Sequence, residues 1–169
     1  MKAIASPGPL PADHPEAFQD IELLKPHPRE RDLLVRVSAF SVNPVDTKIR
    51  LVKRAPEQDQ SPRVLGWDAA GIVEEVGTGV RLFRKGDEVY YAGSLLRPGC
   101  NSEFQLVDER IAAAKPGSWT MAQAAALPLT AITAYEALFD RMAITRDRPL
   151  KGPTLLIIGG AGGVGSIAI

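Results

Sequence analysis

Short alternating runs of apolar and polar residues fill the first 115 positions, and this spacing predicts β-strands. Turn residues such as Gly77-Thr78-Gly79 and Lys85-Gly86-Asp87 separate the runs. Several short strands at close spacing favour a small barrel or sandwich over a parallel sheet. The predicted strands are Lys2–Ala5, Asp20–Leu24, Leu33–Val42, Ala69–Val76, Glu88–Ala92, Glu103–Val107 and Ile111–Ala114.

The pattern then changes to helical spacing. Thr120–Leu127 is rich in alanine and predicts a helix, and Thr120 with Gln123 has the spacing of a capping box. Pro128 interrupts this helix, because proline has no backbone N–H to donate. Thr130–Met142 predicts a second helix, since its apolar side chains recur at intervals of three and four residues.

A glycine-rich segment near the end of the sequence suggests a nucleotide site. The apolar run Leu155–Ile158 predicts a buried strand, and five glycines follow it within seven residues. Gly160, Gly162 and Gly165 have the G-x-G-x-x-G spacing, which permits a tight turn, close approach of a pyrophosphate and close helix packing. No lysine follows the glycines, so a dinucleotide is favoured over ATP or GTP. The alternative is that these glycines serve packing alone.

Composition narrows the classes of function. The chain has 169 residues, of which 45% are hydrophobic, and its 20 basic and 20 acidic residues balance without a basic stripe for nucleic acid. No apolar run approaches the length of about 18 residues that a membrane-spanning helix needs. The single cysteine, Cys100, excludes an internal disulfide and fits a reducing cytoplasm.

Five phrases, in order along the chain, resemble the medium-chain dehydrogenase/reductase superfamily and, within it, the zinc-free quinone oxidoreductase branch with its zinc-type alcohol dehydrogenase-like members. They are SVNPVDTKIR, LGWDAAGIVEEVGTGV, RLFRKGDEVYY, AALPLTAITAYEAL and GGAGGVG. The resemblance implies a GroES-like β-rich barrel lobe over residues 1–125. It then implies the first strand and glycine loop of a Rossmann α/β domain over residues 126–169.

The resemblance also implies an activity and its setting. It predicts NAD(P)H-dependent reduction of quinones or α,β-unsaturated carbonyl compounds by a cytoplasmic homodimer that binds neither membrane nor nucleic acid. NADPH is the favoured cofactor and NADH the alternative. A complete βαβ unit takes about 30 residues or more, and only four residues follow Gly165. We therefore expect the 169 residues alone to be inactive.

Zinc is not expected. Zinc-containing members of the superfamily carry Cys in a C-x-x-D phrase and His in a G-H-E phrase, and the matching positions here hold Asn43 and Trp67. Neither side chain is a competent zinc ligand, and a structural site of four cysteines cannot be built from Cys100 alone.

The resemblance places the catalytic residues in the NPVD phrase. Hydride transfer to an enone or quinone develops negative charge on oxygen, which a hydrogen-bond donor stabilises. Asn43 and Lys48 are the candidate donors, and Asp46 acts either structurally or through Lys48. The alternative for Lys48 is a contact with the 2′-phosphate or pyrophosphate of the cofactor. Lys48 stands where many quinone oxidoreductases have tyrosine, so a tyrosine role does not carry over. The alternative is that Asn43-Pro44-Val45-Asp46 forms a β-turn and nothing more.

The remaining candidates surround the cofactor. The resemblance brings Thr130 close to the nicotinamide, while a helix cap is a compatible role for the same residue. Trp67 is either a core residue or a wall of the substrate cleft. The predicted cofactor-binding residues are Thr130, Gly160, Ala161, Gly162, Gly163, Val164 and Gly165.

Two other classes of function stay open at this point. One is a non-catalytic relative that binds NADPH as a sensor, or that binds a protein or RNA partner. The other is a stable fragment that binds nothing. The sequence decides between these only in part, because the residues that would read the adenosine half of the cofactor are absent from it.

Overall fold

The computed structural model describes residues 1–52, 61–144 and 154–169. Within these ranges the chain forms eight strands, and most lie where the sequence predicts them. The strands are β1 (Lys2–Ser6), β2 (Gln19–Glu22), β3 (Asp32–Ser41), β4 (Arg63–Val64), β5 (Asp68–Val76), β6 (Glu88–Ala92), β7 (Phe104–Asp108) and β8 (Ala112–Ala114). The helices are α1 (Pro44–Leu51), α2 (Met121–Ala125), α3 (Pro128–Tyr135) and α4 (Gly163–Ala168), with a 3₁₀ turn at Glu109–Ile111 and a π-helical turn at Glu136–Arg141.

The strands pair into two antiparallel sheets. The larger sheet has the order β7-β3-β5-β6-β8 and the smaller one the order β2-β1-β4. A bridge between Ala3 and Ser102 connects the smaller sheet to the segment before β7. The predicted β-rich lobe is thus confirmed. Among the described residues, β7 and β8 each pair on one side only, so the larger sheet is not a closed barrel.

The main core lies on one face of the larger sheet. Side chains alternate along a strand, so Tyr91 is buried in this core while Tyr90 lies on the opposite face. The Tyr91 hydroxyl donates to Gln105 Oε1 at 2.9 Å, which satisfies its polar atom inside the core. The core residues are Leu33, Val35, Ala69, Val73, Val89, Tyr91, Cys100 and Val107.

Helix α2 covers the opposite face of the sheet. Ala124 and Ala125 pack against Ala70 of β5, where small side chains allow close approach. The predicted capping box is confirmed. The Gln123 N–H donates to Thr120 Oγ1 at 3.2 Å, and the Thr120 N–H donates to Gln123 Oε1 at 2.9 Å.

The NPVD phrase forms the start of helix α1, so its interpretation as an isolated β-turn is wrong. Asn followed by Pro is favoured in turns, but it is equally favoured at the cap and first position of a helix. Pro44 here is the first residue of α1, and Asn43 is its cap. Asp46 and Arg50, four residues apart, form the buried side of this helix.

Two other predicted elements differ in the structure. The predicted helix at Thr130–Met142 is divided into α3 and the π-helical turn that follows it. The predicted buried strand at Leu155–Ile158 is not formed: residues 154–157 belong to no strand, and Ile158 is 90% exposed. A strand needs a hydrogen-bonded neighbour, and no strand of the described ranges pairs with this segment.

At one end of the larger sheet, the buried carboxylate of Glu109 accepts hydrogen bonds from separate segments of the chain. Glu109 is fully buried and accepts hydrogen bonds from the Arg81 and Leu82 N–H groups at 2.8 and 2.7 Å. The Arg31 guanidinium donates to the same carboxylate at 2.8 Å. These donors, of which the Leu82 N–H is the strongest, hold the pKa of Glu109 below its usual range.

We predict that Glu109→Gln lowers the melting temperature at neutral pH by about 5 °C or more, because three donors lose their charged acceptor. A lowered carboxyl pKa stabilises the fold above the unfolded-state pKa of about 4.3, and this stabilisation is lost as pH falls through the folded-state pKa. The difference between the two proteins should therefore shrink below about pH 4 in thermal melts. Glu74→Gln, which removes a surface ion pair, is the control with almost no effect. A difference that is independent of pH would contradict the assignment.

Candidate active site

The cap of helix α1 fixes the backbone of the NPVD phrase. The Asn43 N–H donates to Asp46 Oδ2 at 2.6 Å, so Asp46 closes the first turn of the helix on itself. Pro44 has no N–H that would otherwise need an acceptor at this position. Asn43 and Asp46 are both buried, with 9% and 7% of their surfaces exposed.

The side chain of Asn43 turns inward to a second carboxylate. Its Nδ2 donates to Asp68 Oδ2 at 2.9 Å and to Ser41 Oγ at 3.3 Å. Both amide hydrogens of Asn43 are therefore engaged within the protein. The predicted role as donor to a substrate oxygen requires one of them to be exchanged, and the longer bond to Ser41 is the weaker of the two.

Asp68 is the residue at which these bonds converge, and sequence reasoning did not assign it a role. It is fully buried at the start of β5. Its Oδ2 also accepts from Ser41 Oγ at 3.2 Å, and its Oδ1 accepts from the Leu129 N–H of α3 at 2.9 Å. The one available signal was an acidic residue directly before the apolar run of a strand.

Burial also sets the acidity of these groups. Loss of hydration raises the pKa of Asp68, and hydrogen bonds from Asn43, Leu129 and Ser41 offset only part of that rise. Burial raises the pKa of Asp46 as well. The two carboxyl groups lie on either side of Asn43, and the charge of Asp46 adds a smaller contribution to the raised pKa of Asp68.

Lys48 lies apart from this buried cluster. It is exposed on α1, two residues beyond Asp46, whose side chain lies on the buried side of the helix. The Asp46 carboxylate accepts from the Asn43 backbone, and no ion pair joins it to Lys48 among the described residues. Two roles were predicted for Asp46, a structural one and one through Lys48. The hydrogen bond from the Asn43 N–H supports the structural role.

Trp67 and Cys100 are both buried next to Asp68. Trp67 precedes Asp68 in the sequence, and Cys100 contacts it in the folded chain. Trp67 is 2% exposed, and its indole Nε1 donates to the Ser94 carbonyl at 2.9 Å. The Cys100 thiol lies 3.5 Å from the Asp68 carbonyl oxygen. Burial raises the pKa of Cys100 to about 12, so the group is a protonated thiol at neutral pH.

The glycine turn agrees with the predicted spacing at Gly165, while its left-handed residue is Gly159 and not Gly160. Gly159 adopts a φ of +75°, which favours glycine, and α4 begins four residues later. A Cβ added at Gly165 would lie 2.5 Å from the Gly159 carbonyl oxygen, so close packing of α4 on the turn requires glycine there. Gly160, Ala161, Gly162 and Val164 complete this turn and the start of the helix.

Thr130 lies against the glycine turn. A Cβ added at Gly163 would lie 3.1 Å from Thr130 Cγ2, so the structure brings together two of the predicted cofactor residues. The Thr130 hydroxyl donates to the Leu127 carbonyl at 2.8 Å. Thr130 follows Leu129 directly, and the first turn of α3 thus connects the glycine turn to Asp68.

The residues at the positions of zinc ligands do not fit zinc. Asn43 uses its amide on Asp68 and Ser41, and an indole such as Trp67 offers no lone pair to a metal. Across the described ranges, no group of three or more His, Cys, Asp or Glu side chains is arranged to hold a metal ion. None of the helices described is both long enough and apolar enough to cross a membrane.

Comparisons with known proteins place these features in a family. The family described as Alcohol dehydrogenase GroES-like domain matches residues 29–134. The sequence is 47% identical over 169 residues to the "Zinc-type alcohol dehydrogenase-like protein" of Staphylococcus epidermidis, which covers 99% of this chain and 49% of that one. It is 39% identical over 150 residues to the 2-methylene-furan-3-one reductase of Solanum lycopersicum, covering 85% of this chain and 37% of that one.

A solved structure is similar as well. The quinone oxidoreductase of Escherichia coli, complexed with NADPH, superposes with a TM-score of 0.74 at 31% identity and covers 99% of this chain and 48% of that one. The chain spans about half the length of the curated relatives it matches.

Proposed function

The chain belongs to the alcohol dehydrogenase GroES-like domain family, as its five phrases predict, and on that premise we propose that the whole protein reduces quinones or α,β-unsaturated carbonyl compounds with NADPH and without zinc. The observation that carries the proposal is the packing of Thr130 against Gly163. It joins the helix that follows the catalytic lobe to a glycine turn of dinucleotide-binding form. The reductase and the NADPH-bound oxidoreductase among the relatives support the same reaction class.

The glycine turn has the composition that a pyrophosphate site needs. Gly160, Gly162 and Gly163 carry no side chains, which is what close approach of a phosphate to backbone N–H groups at the start of α4 requires. Thr130 would lie at the nicotinamide end, with Ala161, Val164 and Gly165 completing the phosphate site. When bound, reduced nicotinamide supplies the hydride. NADH is the alternative donor.

Lys48 is the proposed electrostatic group at the substrate end. Its ammonium is exposed, whereas the amide of Asn43 is occupied, so Lys48 is the freer of the two donors toward a developing enolate oxygen. Asn43 would join it by releasing Ser41, while Asp46 holds the helix turn that carries both residues. Trp67 would shape the cleft through the Ser94 segment that it holds.

The reaction suits a site without a Lewis acid. Conjugate reduction places the hydride on carbon and the charge on oxygen, so a hydrogen-bond donor suffices. Alcohol oxidation would need a metal or a dedicated base to remove the hydroxyl proton. Asn43 and Trp67 supply neither a zinc ligand nor such a base.

We also propose a domain boundary between residues 125 and 126. Ala125, the last residue of α2, packs on the larger sheet, whereas α3 beyond it packs more extensively against α4 than against β5 and β6 of that sheet. The family match continues to residue 134, into α3. A homodimer in the cytoplasm remains a proposal that the resemblance supports.

Zinc content provides a direct test of the metal-free proposal. After exhaustive dialysis, elemental analysis of the whole protein should find far less than one zinc per chain, because the donors at positions 43 and 67 do not bind it. Chelators should leave the activity unchanged. Stoichiometric zinc that leaves together with the activity would overturn the proposal.

Gly163→Val should weaken NADPH binding at least tenfold, about 1.4 kcal/mol, because its side chain would press on Thr130 and displace the glycine turn proposed to hold the pyrophosphate. Fluorescence titration of the whole protein measures this affinity. Gly117→Val is the matched control, since a Cβ at Gly117 meets open space. Equal affinities for both variants would assign Gly163 to packing alone.

Lys48→Met should lower kcat about 100-fold on both an ortho-quinone and an alkyl enone, as removal of one oxyanion donor typically does. The melting temperature should not change, because Lys48 is exposed. Lys85→Met, at an exposed lysine of the β5–β6 turn, is the control that keeps wild-type turnover. Wild-type turnover for Lys48→Met would remove Lys48 from the reaction, and a protein that binds NADPH but reduces neither substrate would favour a sensor.

A further inference from the structure

The two carboxylate oxygens of Asp68 serve different parts of the chain. Oδ2 accepts from Asn43 Nδ2 at 2.9 Å and from Ser41 Oγ at 3.2 Å, both in the segment that leads into α1. Oδ1 accepts from the Leu129 N–H at 2.9 Å, in the first turn of α3. Asp68 is fully buried, so no water replaces these donors.

Helix α3 depends on this contact because it has no cap of its own. Leu127 stands at the cap position, and its side chain has no acceptor. Pro128 has no N–H, which makes Leu129 the first residue of α3 with a donor left unpaired by the helix. A carboxylate at this end of a helix is also favoured by the helix dipole.

The two helices that Asp68 joins carry the two ends of the proposed reaction site. Thr130, directly after Leu129, packs against the glycine turn at Gly163. Lys48 lies on α1, whose cap residue is Asn43. Rotation or shift of either first turn would change the distance between the group that contacts the cofactor and the group that contacts the substrate.

We propose that Asp68 is a positioning residue that clamps the first turns of α1 and α3 together and so sets the placement of Lys48 relative to Thr130. The proposal rests on the function proposed above for those two residues. It assigns to Asp68 no contact with substrate or cofactor.

The chemistry of the side chain makes the clamp testable. An asparagine at position 68 has one acceptor and one donor group, so it cannot serve Leu129 and Asn43 together. Its amide hydrogens would face those of Asn43. The double variant Asn43→Asp/Asp68→Asn exchanges the two residues. The amide NH₂ at position 68 can then donate to the carboxylate at position 43, and the amide oxygen at position 68 can accept from the Leu129 N–H.

The experiment compares Asp68→Asn, the double variant Asn43→Asp/Asp68→Asn and Glu109→Gln in the whole protein. Glu109→Gln is the matched control, because Glu109 is equally buried and accepts from two backbone N–H groups away from the site. Two quantities are measured for each: the hydrogen-exchange rate of the Leu129 amide by NMR, and the dissociation constant for NADPH by fluorescence titration.

Asp68→Asn should speed exchange at Leu129 and weaken NADPH binding, each about tenfold or more, as expected for loss of a charge-assisted hydrogen bond. The double variant should recover most of both losses. Glu109→Gln should lower the melting temperature but leave both quantities near wild type.

Equal behaviour of Asp68→Asn and Glu109→Gln in both measurements would overturn the proposal, as would a double variant no better than Asp68→Asn. Where the single variant does not fold, the double variant alone decides. Failure of the proposed function is seen separately, because a wild-type protein without NADPH affinity would still report the clamp through exchange at Leu129.

Discussion

A carboxylate that water cannot reach must form its hydrogen bonds inside the protein, and Asp68 forms them with two segments that are distant from each other in sequence. Removal of any one donor would leave a buried acceptor unsatisfied, at a cost of about 1–3 kcal/mol. The end of β3, the cap of α1 and the first turn of α3 are therefore held to the start of β5. The proposed site takes its geometry from that arrangement.

The strands were predictable because their signal is local. Burial alternates residue by residue along β6 and β7, and β3 and β5 each begin with four consecutive buried residues, so both patterns can be seen in a few positions. The capping box of Thr120 and Gln123 is local in the same way. Helix α1 was missed because Asn-Pro is favoured in turns and at helix starts alike, and burial of Asp46 and Arg50, which sequence does not show, decides between them.

The candidate site was predicted less completely, for a related reason. The glycine spacing is a contiguous pattern, and the close packing at Gly165 agrees with it, although the turn residue is Gly159 where the spacing predicts Gly160. The hydrogen bond between Asp68 and Leu129 joins residues that are 61 positions apart, and nothing in the sequence around either residue indicates the other as its partner. The strand expected at Leu155–Ile158 depends on a neighbour that the described ranges do not contain.

Quinones and enones are electrophiles, and thiolates add readily to them. A protein that handles such compounds risks alkylation by its own substrates. The chain has one cysteine, and Cys100 lies fully buried behind Gly66 and Asp68 with a pKa of about 12. Both the access and the thiolate that Michael addition requires are missing. The packing that completes the core thus also protects this thiol from the molecules that the protein is proposed to reduce.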